Sequence, residues 1–231
     1  IQVVPTPDRA AIPELLSLTE WIDVCIPRGG EGLIRAVTDC SKVPVIKHYK
    51  GICSVYLDAE ADVEKAIAIT VNSKTHRTGV CNAMEALLVD EAIAPALLPQ
   101  VAEVLFEKGV QLRVDERGAN ILGEGVTAAT TEDWDTEFLD LICAIRVVRG
   151  VSGAIAHINT HGSGHTESIV TENESTARRF QQEVDSSTIF WNASTRFSDG
   201  GEFGMGAEIG ISTDKIGARG PMGLEELTTY K

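Results

Sequence analysis

One cysteine, Cys81, lies in a segment whose residue types suit nucleophilic chemistry. In the stretch NSKTHRTGVCNAMEALLV it follows a polar segment that contains Lys74 and Arg77, and an apolar run begins at Met84. Basic neighbours lower the pKa of a thiol, and the thiolate is the form that attacks carbon. The pattern therefore predicts a reactive thiol at the start of a strand, although a lone cysteine is more often structural.

The other four cysteines have no such setting. Cys25, Cys53 and Cys143 lie inside apolar runs that are typical of strands, where a thiol behaves as a small buried hydrophobic group. Cys40 follows a helical pattern and has no evident partner. The total of five is odd and no two are spaced as CxxC, so the pattern favours a reducing cytoplasm over a disulfide-bonded scaffold.

Two kinds of residue suit the binding of an anion. The stretch IPRGGEGL places Gly29, Gly30 and Gly32 between a strand pattern and a helix pattern, where backbone N–H groups can cradle a phosphate. It matches neither GxGxxG nor a P-loop, so a glycine-rich turn is the simpler interpretation by itself. Arg196 and Arg219 lie in glycine-rich loops and are candidate substrate-binding residues, with a bracing salt bridge as the alternative.

Three histidines recur at intervals of four residues in the stretch HINTHGSGH. His157 and His161 can share a helical face, but Gly162 and Gly164 end the helix before His165. No carboxylate is placed as in HExxH and no cysteine is nearby, so a hydrogen-bonded or surface cluster is favoured over a zinc site. No metal is expected on this basis.

The composition predicts a folded protein and argues against several functional classes. Of the 231 residues, 43% are hydrophobic and 23% are charged, which suffices for a sizeable core. No run of about 18 apolar residues predicts a membrane span, and no secretory signal is recognised. The formal net charge of −14 disfavours nucleic-acid binding through the general surface but permits a local basic pocket.

Strand and helix patterns alternate along the chain and must position these residues. Strands are predicted in WIDVCIP, VPVIKHY, ICSVYLD, EALLV, VQLRV, ICAIRVV, SIV and TIFWN, with helices between most of them. A helix over AEADVEKAIAITVNSK is predicted to have Asp58 as its N-cap and Val63, Ile67 and Val71 on one face. The glycine-rich segment from Asn192 predicts a surface loop. The alternation predicts an α/β fold with a parallel sheet.

Several strings together resemble one family. GVCNAMEALLV, HGSGHTESIVTEN, VDSSTIFWNASTRFSDGGEFGMGAEIGIST and ARGPMGLEELTTYK are similar to the gamma-glutamyl phosphate reductase family, or glutamate-5-semialdehyde dehydrogenases, of the aldehyde dehydrogenase superfamily. The resemblance covers nearly the whole chain and fits the fused plant and animal synthase as well. It implies a three-layer α/β fold and a C-terminal portion of the family's chain. Residues 1–74 would end the NADP-binding domain, 75–205 would form the catalytic domain, and 206–231 would be a return segment and oligomerisation tail.

The resemblance also implies an activity. NADPH would reduce L-glutamyl 5-phosphate to L-glutamate 5-semialdehyde in proline biosynthesis, with release of phosphate. Cys81 matches the nucleophile that forms a thioester, and its backbone N–H would supply half of an oxyanion hole. Glu137, in DTEFLDLICAI, is the candidate for the nicotinamide ribose hydroxyls, and the resemblance favours Gly29, Gly30 and Gly32 as cofactor contacts near the pyrophosphate.

Two departures from the family pattern bear on these expectations. Hydrolytic aldehyde dehydrogenases carry a general-base glutamate where this chain has KHYKG, Lys47 to Gly51, and its absence suits a reductase that must not hydrolyse its thioester. Gly217 stands where the family usually has a histidine, which puts the role of that histidine in doubt. The alternatives are a related semialdehyde dehydrogenase and a non-catalytic assembly fragment with half the cofactor site. The resemblance further implies a cytoplasmic homo-oligomer with functional coupling to glutamate 5-kinase.

Overall fold

A seven-stranded parallel sheet is the centre of the fold in the computed structural model, which describes residues 1–217 and 219–230. The strand order is β4-β3-β5-β2-β1-β6-β7, and every neighbouring pair is parallel. The predicted α/β fold is therefore confirmed. The strands are β1 (Cys53–Leu57), β2 (Met84–Asp90), β3 (Gln111–Val114), β4 (Thr127–Ala128), β5 (Ile142–Val148), β6 (Thr166–Val170) and β7 (Thr188–Trp191).

Helices cover both faces of the sheet and make a three-layer structure. Side chains alternate along β1, so Val55 and Leu57 enter one apolar cluster and Tyr56 enters the other. The first cluster lies under α3 (Val63–Thr75), α4 (Ala94–Glu107) and α5 (Glu116–Leu122), and the second lies under α6 (Gly150–His161) and α7 (Glu174–Glu183). Among the residues that the structure describes, no helix has the length and apolar character needed to cross a membrane.

The first 52 residues add no strand to this sheet. They contain α1 (Ala11–Leu15) and α2 (Glu31–Cys40), which pack around Leu16, Val37 and Val43. The strands predicted in WIDVCIP and VPVIKHY are wrong, because the structure holds a single bridge there, between Cys25 and Val45. Pro27 and Pro44 interrupt the two segments and lack the N–H that would extend the pairing.

The sheet begins at residue 53, before the predicted boundary between the NADP-binding domain and the catalytic domain at residue 74. That division falls inside α3, and both β1 and α3 pack into the same apolar cluster as β2. The unit built on the sheet therefore spans residues 53–191. The assignment of residues 1–74 to an NADP-binding domain stays a prediction. In the predicted tail, β8 (Gly210–Ser212) and β9 (Gly220–Met222) pair antiparallel, and Ala218 and Lys231 lie outside the described residues.

The helix before Cys81 begins later than predicted. Asp62 is its N-cap and accepts a hydrogen bond from the Lys65 N–H (2.9 Å). Asp58 instead accepts hydrogen bonds from the Tyr56 hydroxyl (3.0 Å) and the Thr171 hydroxyl (2.7 Å) at the carboxyl edge of the sheet. Of the predicted face, Ile67 and Val71 pack half-buried against the first apolar cluster and Val63 is exposed, while the fully buried residues of the helix are Ala66, Thr70, Ser73 and Lys74.

Candidate active site

Cys81 lies at the amino edge of the sheet, in the loop between α3 and β2. At the same edge β1 begins with Cys53, whose thiol donates to the carbonyl oxygen of Cys81 (3.2 Å). His165 immediately precedes β6, which is parallel to β1, so the fold brings this histidine to the same edge. Residues that are distant in sequence therefore surround the predicted nucleophile.

Gly51 lies directly against the backbone of Cys81. A Cβ added at position 51 would lie 2.6 Å from the Cα of Cys81, a separation that no side chain tolerates. Glycine is required here because only hydrogen fits between the two backbones. The KHYKG segment, singled out for its lack of a glutamate, is thus in contact with the nucleophile loop.

A cavity of about 680 Å³ brings together four of the predicted site residues, Cys81, Gly29, Gly30 and Glu137. The two glycines immediately precede α2, and Glu137 lies in the connection that leads to β5. Gly32 does not line the cavity and is exposed in the first turn of α2. The arrangement places a thiol, a helix N-terminus and a carboxylate around one space.

The thiol of Cys81 is held in its protonated form. Burial raises its pKa to about 11, and the carboxylates of Glu137 and Glu208 act in the same direction, while Arg28 opposes them. The lowered pKa that the sequence indicated is therefore wrong for this arrangement. The thiol needs a proton acceptor, or a change in its surroundings, before it can attack.

The basic residues near Cys81 in sequence do not activate it in space. Lys74 is fully buried, and its Nζ donates to Glu85 Oε2 at 2.6 Å. Burial raises the pKa of Glu85 to about 7 even though Lys74 opposes the shift. Arg77 is exposed and does not line the cavity. The cation that lowers the thiol pKa is Arg28, a residue that sequence reasoning passed over.

Two histidines lie close to Cys81: His48, which lines the cavity, and His165, which is fully buried. Among the described residues, one ring nitrogen of His48, one of His165 and the Sγ of Cys81 all lie within 4.8 Å of one another. The two rings form an edge-on contact with centroids 5.2 Å apart. His48 Nδ1 donates to the carbonyl oxygen of Ile211 (3.0 Å), and His165 Nδ1 bonds with the hydroxyl of Thr166 (2.8 Å). The Nε2 atoms are therefore the nitrogens available for other partners.

The histidines of HINTHGSGH do not form one cluster. His157 is buried near Trp134 and accepts a hydrogen bond from Arg146 (2.8 Å), while His161 donates to Asp135 (2.9 Å). Burial, followed by the charge of Arg146, lowers the pKa of His157 to about 3. His165 lies apart from this pair, close to Cys81. All three histidines are hydrogen-bonded, as was favoured from the sequence, but they do not form the single cluster that was expected.

The two candidate arginines lie outside the cavity that contains Cys81. Arg196 is half-buried after β7, and its Nε donates to His76 Nδ1 at 3.4 Å. Arg219 donates to Asp185 at 2.9 Å and lines a separate cavity of about 400 Å³. For Arg219 the contact is the bracing salt bridge considered as the alternative. Arg196 nevertheless interacts electrostatically with Cys81 and Cys53, so its role in binding the substrate stays a prediction.

Three residues of the site were not predicted from the sequence, namely Arg28, His48 and Glu208, and His165 was considered only as a member of the histidine triplet. Arg28 lies in the glycine stretch and His48 lies in KHYKG, so both stood beside residues already singled out. Glu208 accepts a hydrogen bond from the Gly200 N–H (2.8 Å), and burial raises its pKa. No local pattern identifies these residues, because their role depends on long-range packing.

Comparisons with known proteins support the resemblance seen in the sequence. A gamma-glutamyl phosphate reductase of Psychrobacter cryohalolentis is 54% identical over 239 aligned residues, which cover 100% of this chain and 55% of that protein. The crystal structure of gamma-glutamyl phosphate reductase from Thermotoga maritima matches with a TM-score of 0.96 at 50% identity, over 99% of this chain and 55% of that one. The chain thus spans about half the length of the curated relatives that it matches. No family model matches it.

A more distant neighbour shows the breadth of the fold. An acetylating aldehyde dehydrogenase from Geobacillus thermoglucosidasius matches with a TM-score of 0.65 at 23% identity, over 89% of this chain and 52% of that one. The likeness at this identity concerns the fold alone. The chain therefore has an aldehyde dehydrogenase-like α/β fold, as the resemblance implied.

Proposed function

We propose that this chain carries the nucleophile of an NADPH-dependent reductase that converts L-glutamyl 5-phosphate to L-glutamate 5-semialdehyde with release of phosphate, in proline biosynthesis. The single observation that carries the proposal is the cavity shared by Cys81, Gly29, Gly30 and Glu137, which come from three separate segments. The identity of 54% to a named reductase over the whole chain supports the substrate. Homo-oligomerisation and coupling to glutamate 5-kinase belong to the same proposal.

The first half of the proposed reaction is acyl transfer to Cys81. The thiol gives its proton to a nearby base, and Sγ attacks the acyl carbon of the substrate. The carbon–oxygen bond to phosphate breaks, phosphate leaves with the bonding electron pair, and a thioester remains on Cys81. His48 is a suitable base, because its Nδ1 is engaged with Ile211 and its Nε2 is free to accept a proton.

The residues present fit a nicotinamide cofactor on one side of the cavity. Gly30 is the N-cap of α2 and, among the described residues, no side chain caps this end, so the N–H groups of Glu31 and Gly32 are available to a pyrophosphate. Glu137 lines the same cavity and can accept hydrogen bonds from ribose hydroxyls. When bound, NADPH supplies the hydride that reduces the acyl group. The bond between Sγ and the acyl carbon then breaks, the aldehyde leaves, and the thiolate of Cys81 takes a proton back from the base.

Arg28 is the candidate for holding the anionic part of the substrate. It lines the cavity, and its Nη1 donates only to the carbonyl oxygen of Ile209 (3.2 Å) among the residues described. The two lysines that line the cavity already have acidic partners. Lys47 pairs with Asp214 (3.0 Å), and Lys50 lies 3.8 Å from Glu31. A guanidinium with free donors suits a phosphate or carboxylate.

The test is substitution of the nucleophile in the intact protein. Cys81→Ser should reduce reductase turnover by more than about 10³-fold, because the alkoxide needed for attack is far less accessible than a thiolate. Release of phosphate and formation of a protein-bound thioester, followed by mass spectrometry, should be lost together. The circular dichroism spectrum should not change.

Cys40→Ser is the matched control, since Cys40 is half-buried in α2 and does not line the cavity. It should keep full turnover. Wild-type activity in Cys81→Ser would overturn the mechanism. A thioester that forms from a different acyl phosphate but not from L-glutamyl 5-phosphate would overturn the substrate alone.

A further inference from the structure

His48, Cys81 and His165 bring together two imidazole nitrogens and a thiol, the donor types of a soft-metal site. One ring nitrogen of His48, one of His165 and the Sγ of Cys81 lie within 4.8 Å of one another. In a tetrahedral zinc site with Zn–N near 2.0 Å and Zn–S near 2.3 Å, two nitrogen donors lie about 3.3 Å apart and a nitrogen and a sulfur about 3.5 Å apart. A closure of up to about 1.5 Å would therefore convert the present arrangement into three ligands of one ion.

The second observation is an unpartnered nitrogen inside the protein. His165 is fully buried, and among the described residues its Nε2 has no hydrogen-bond partner. A buried polar atom without a partner is costly, and a metal ion satisfies it.

The Nδ1 contacts complete the geometry that such a site needs. Histidine ligands commonly donate their other ring N–H to a carbonyl or hydroxyl oxygen, which fixes the tautomer and the ring orientation. His48 has this partner in the carbonyl of Ile211 at 3.0 Å. His165 has Thr166 at 2.8 Å, and the thiol of Cys53 lies 3.6 Å from the same nitrogen.

We propose that His48, Cys81 and His165 bind a borderline-soft divalent cation, with Zn²⁺ as the representative ion and a water in the fourth position. Binding forms a sulfur–metal bond and two nitrogen–metal bonds, and the thiol proton passes to solvent. Nothing is oxidised or reduced. Metal binding does not depend on the proposed reductase activity. Its consequence does, since a thiolate held by a metal cannot attack an acyl phosphate.

The test measures metal binding without turnover. The intact protein is titrated with Zn²⁺ in competition with a chromophoric chelator, and we expect one ion per chain. Cys81→Ser, His48→Ala and His165→Gln should each weaken the affinity by about 10-fold or more. With Co²⁺ as the probe, the wild type should show a thiolate-to-metal charge-transfer band that disappears in Cys81→Ser.

His161→Ala and Cys40→Ser serve as controls, since both residues are half-buried and lie outside the triangle. Both should bind Zn²⁺ within about twofold of the wild type, far less than loss of a ligand. If His165→Gln does not fold, Cys81→Ser and His48→Ala decide the question, because neither position is fully buried. An affinity that both variants leave unchanged, or no binding by the wild type, would overturn the proposal. Loss of reductase activity in Cys81→Ser with intact zinc binding would remove the metal site and leave the reductase standing.

Discussion

At the residue scale, Cys81 is a candidate nucleophile whose surroundings keep its thiol protonated. A thiol with a pKa of about 11 is ionised to roughly one part in 10⁴ at pH 7, since each unit of pKa is a factor of ten. Burial is the main cause of that value, Glu137 and Glu208 add to it, and the charge of Arg28 opposes it. The structure describes a resting thiol that is protected from alkylation and oxidation until a base or a ligand changes the balance.

We predict that Glu208→Gln makes this thiol more reactive. Removing one carboxylate lowers the thiol pKa, so the thiolate fraction rises at every pH below that pKa, by about 2- to 5-fold at pH 8. The amide oxygen can still accept the hydrogen bond from Gly200. The measurement is the rate of labelling of Cys81 by iodoacetamide from pH 6 to 10, followed by mass spectrometry.

Glu103→Gln on the exposed face of α4 is the matched control, because it removes the same charge far from the cavity. Its labelling rate should equal that of the wild type. In the wild type the rate should still rise between pH 9 and pH 10. A plateau below pH 9, or equal rates in the two variants, would contradict the account of the thiol.

At the scale of elements, the nucleophile loop is closed by a buried ion pair. Lys74 is near the end of α3 and Glu85 is near the start of β2, and the loop between them carries Cys81. Glu85 also accepts a hydrogen bond from the Leu139 N–H (3.3 Å), which links the pair to the segment that precedes β5. The pair therefore fixes the loop at both ends.

We predict that Lys74→Met destabilises the protein by about 3 kcal/mol at neutral pH, because a buried carboxylate is left without its partner. The pKa of Glu85 is already raised to about 7 and should rise further, since Lys74 is the main influence that lowers it. The folded state would then favour the protonated acid more strongly than the unfolded state does. The loss should accordingly be smaller at pH 5 and larger at pH 8. Urea unfolding at the two pH values measures it.

Lys65→Met is the control for this prediction, because Lys65 pairs with Glu172 at the surface with side chains 49% and 52% exposed. Its effect should stay below about 1 kcal/mol at both pH values. Lys74→Met combined with Glu85→Leu should recover much of the loss. The account of the ion pair would be contradicted if the double variant were no more stable than Lys74→Met. It would also be contradicted if Lys74→Met lost more stability at pH 5 than at pH 8.

The elements also show what sequence patterns can and cannot predict. The strand runs at residues 53–57 and 84–90 are buried along their whole length, and continuous apolar runs identified them. The runs around Cys25 and Val45 look similar locally, yet they form one bridge because they lie outside the sheet. Cys81 was singled out as the nucleophile from its own neighbours, and that role stays a prediction. Its raised pKa was not predicted, because the shift comes from burial and from Glu137 and Glu208, which only the fold brings near.

At the scale of the whole molecule, the site lies between a large core and a small one. The sheet supplies Cys81, Glu137 and His165, whereas Arg28 and His48 come from the first 52 residues. Those residues pack around a small apolar cluster of Leu16, Val37 and Val43 and their half-buried neighbours, so less apolar burial stabilises them than stabilises the sheet. Half of the site therefore rests on the weaker part of the structure.

We predict that this part opens first under native conditions. The N–H groups of Cys25 and Ile46, both bonded across the single bridge at 2.9 Å, should exchange with deuterium at least about 100-fold faster than those of Leu88 and Val147 in the central strands. Hydrogen exchange with mass spectrometry or NMR measures this. Equal protection at the four amides would show that the two cores unfold as one unit.

The placement of Cys81 at the amino edge of a parallel sheet has an electrostatic consequence. Each connecting helix runs back against the strands, so α3, α4, α6 and α7 end at this edge and direct the negative ends of their macrodipoles toward it. These negative helix ends do not stabilise a thiolate at Cys81. The opposite polarity comes from α2, which begins beside Gly30 at the cavity. The favourable part of the electrostatic field at Cys81 therefore depends on how closely the first 52 residues, which contain α2, stay packed against the sheet.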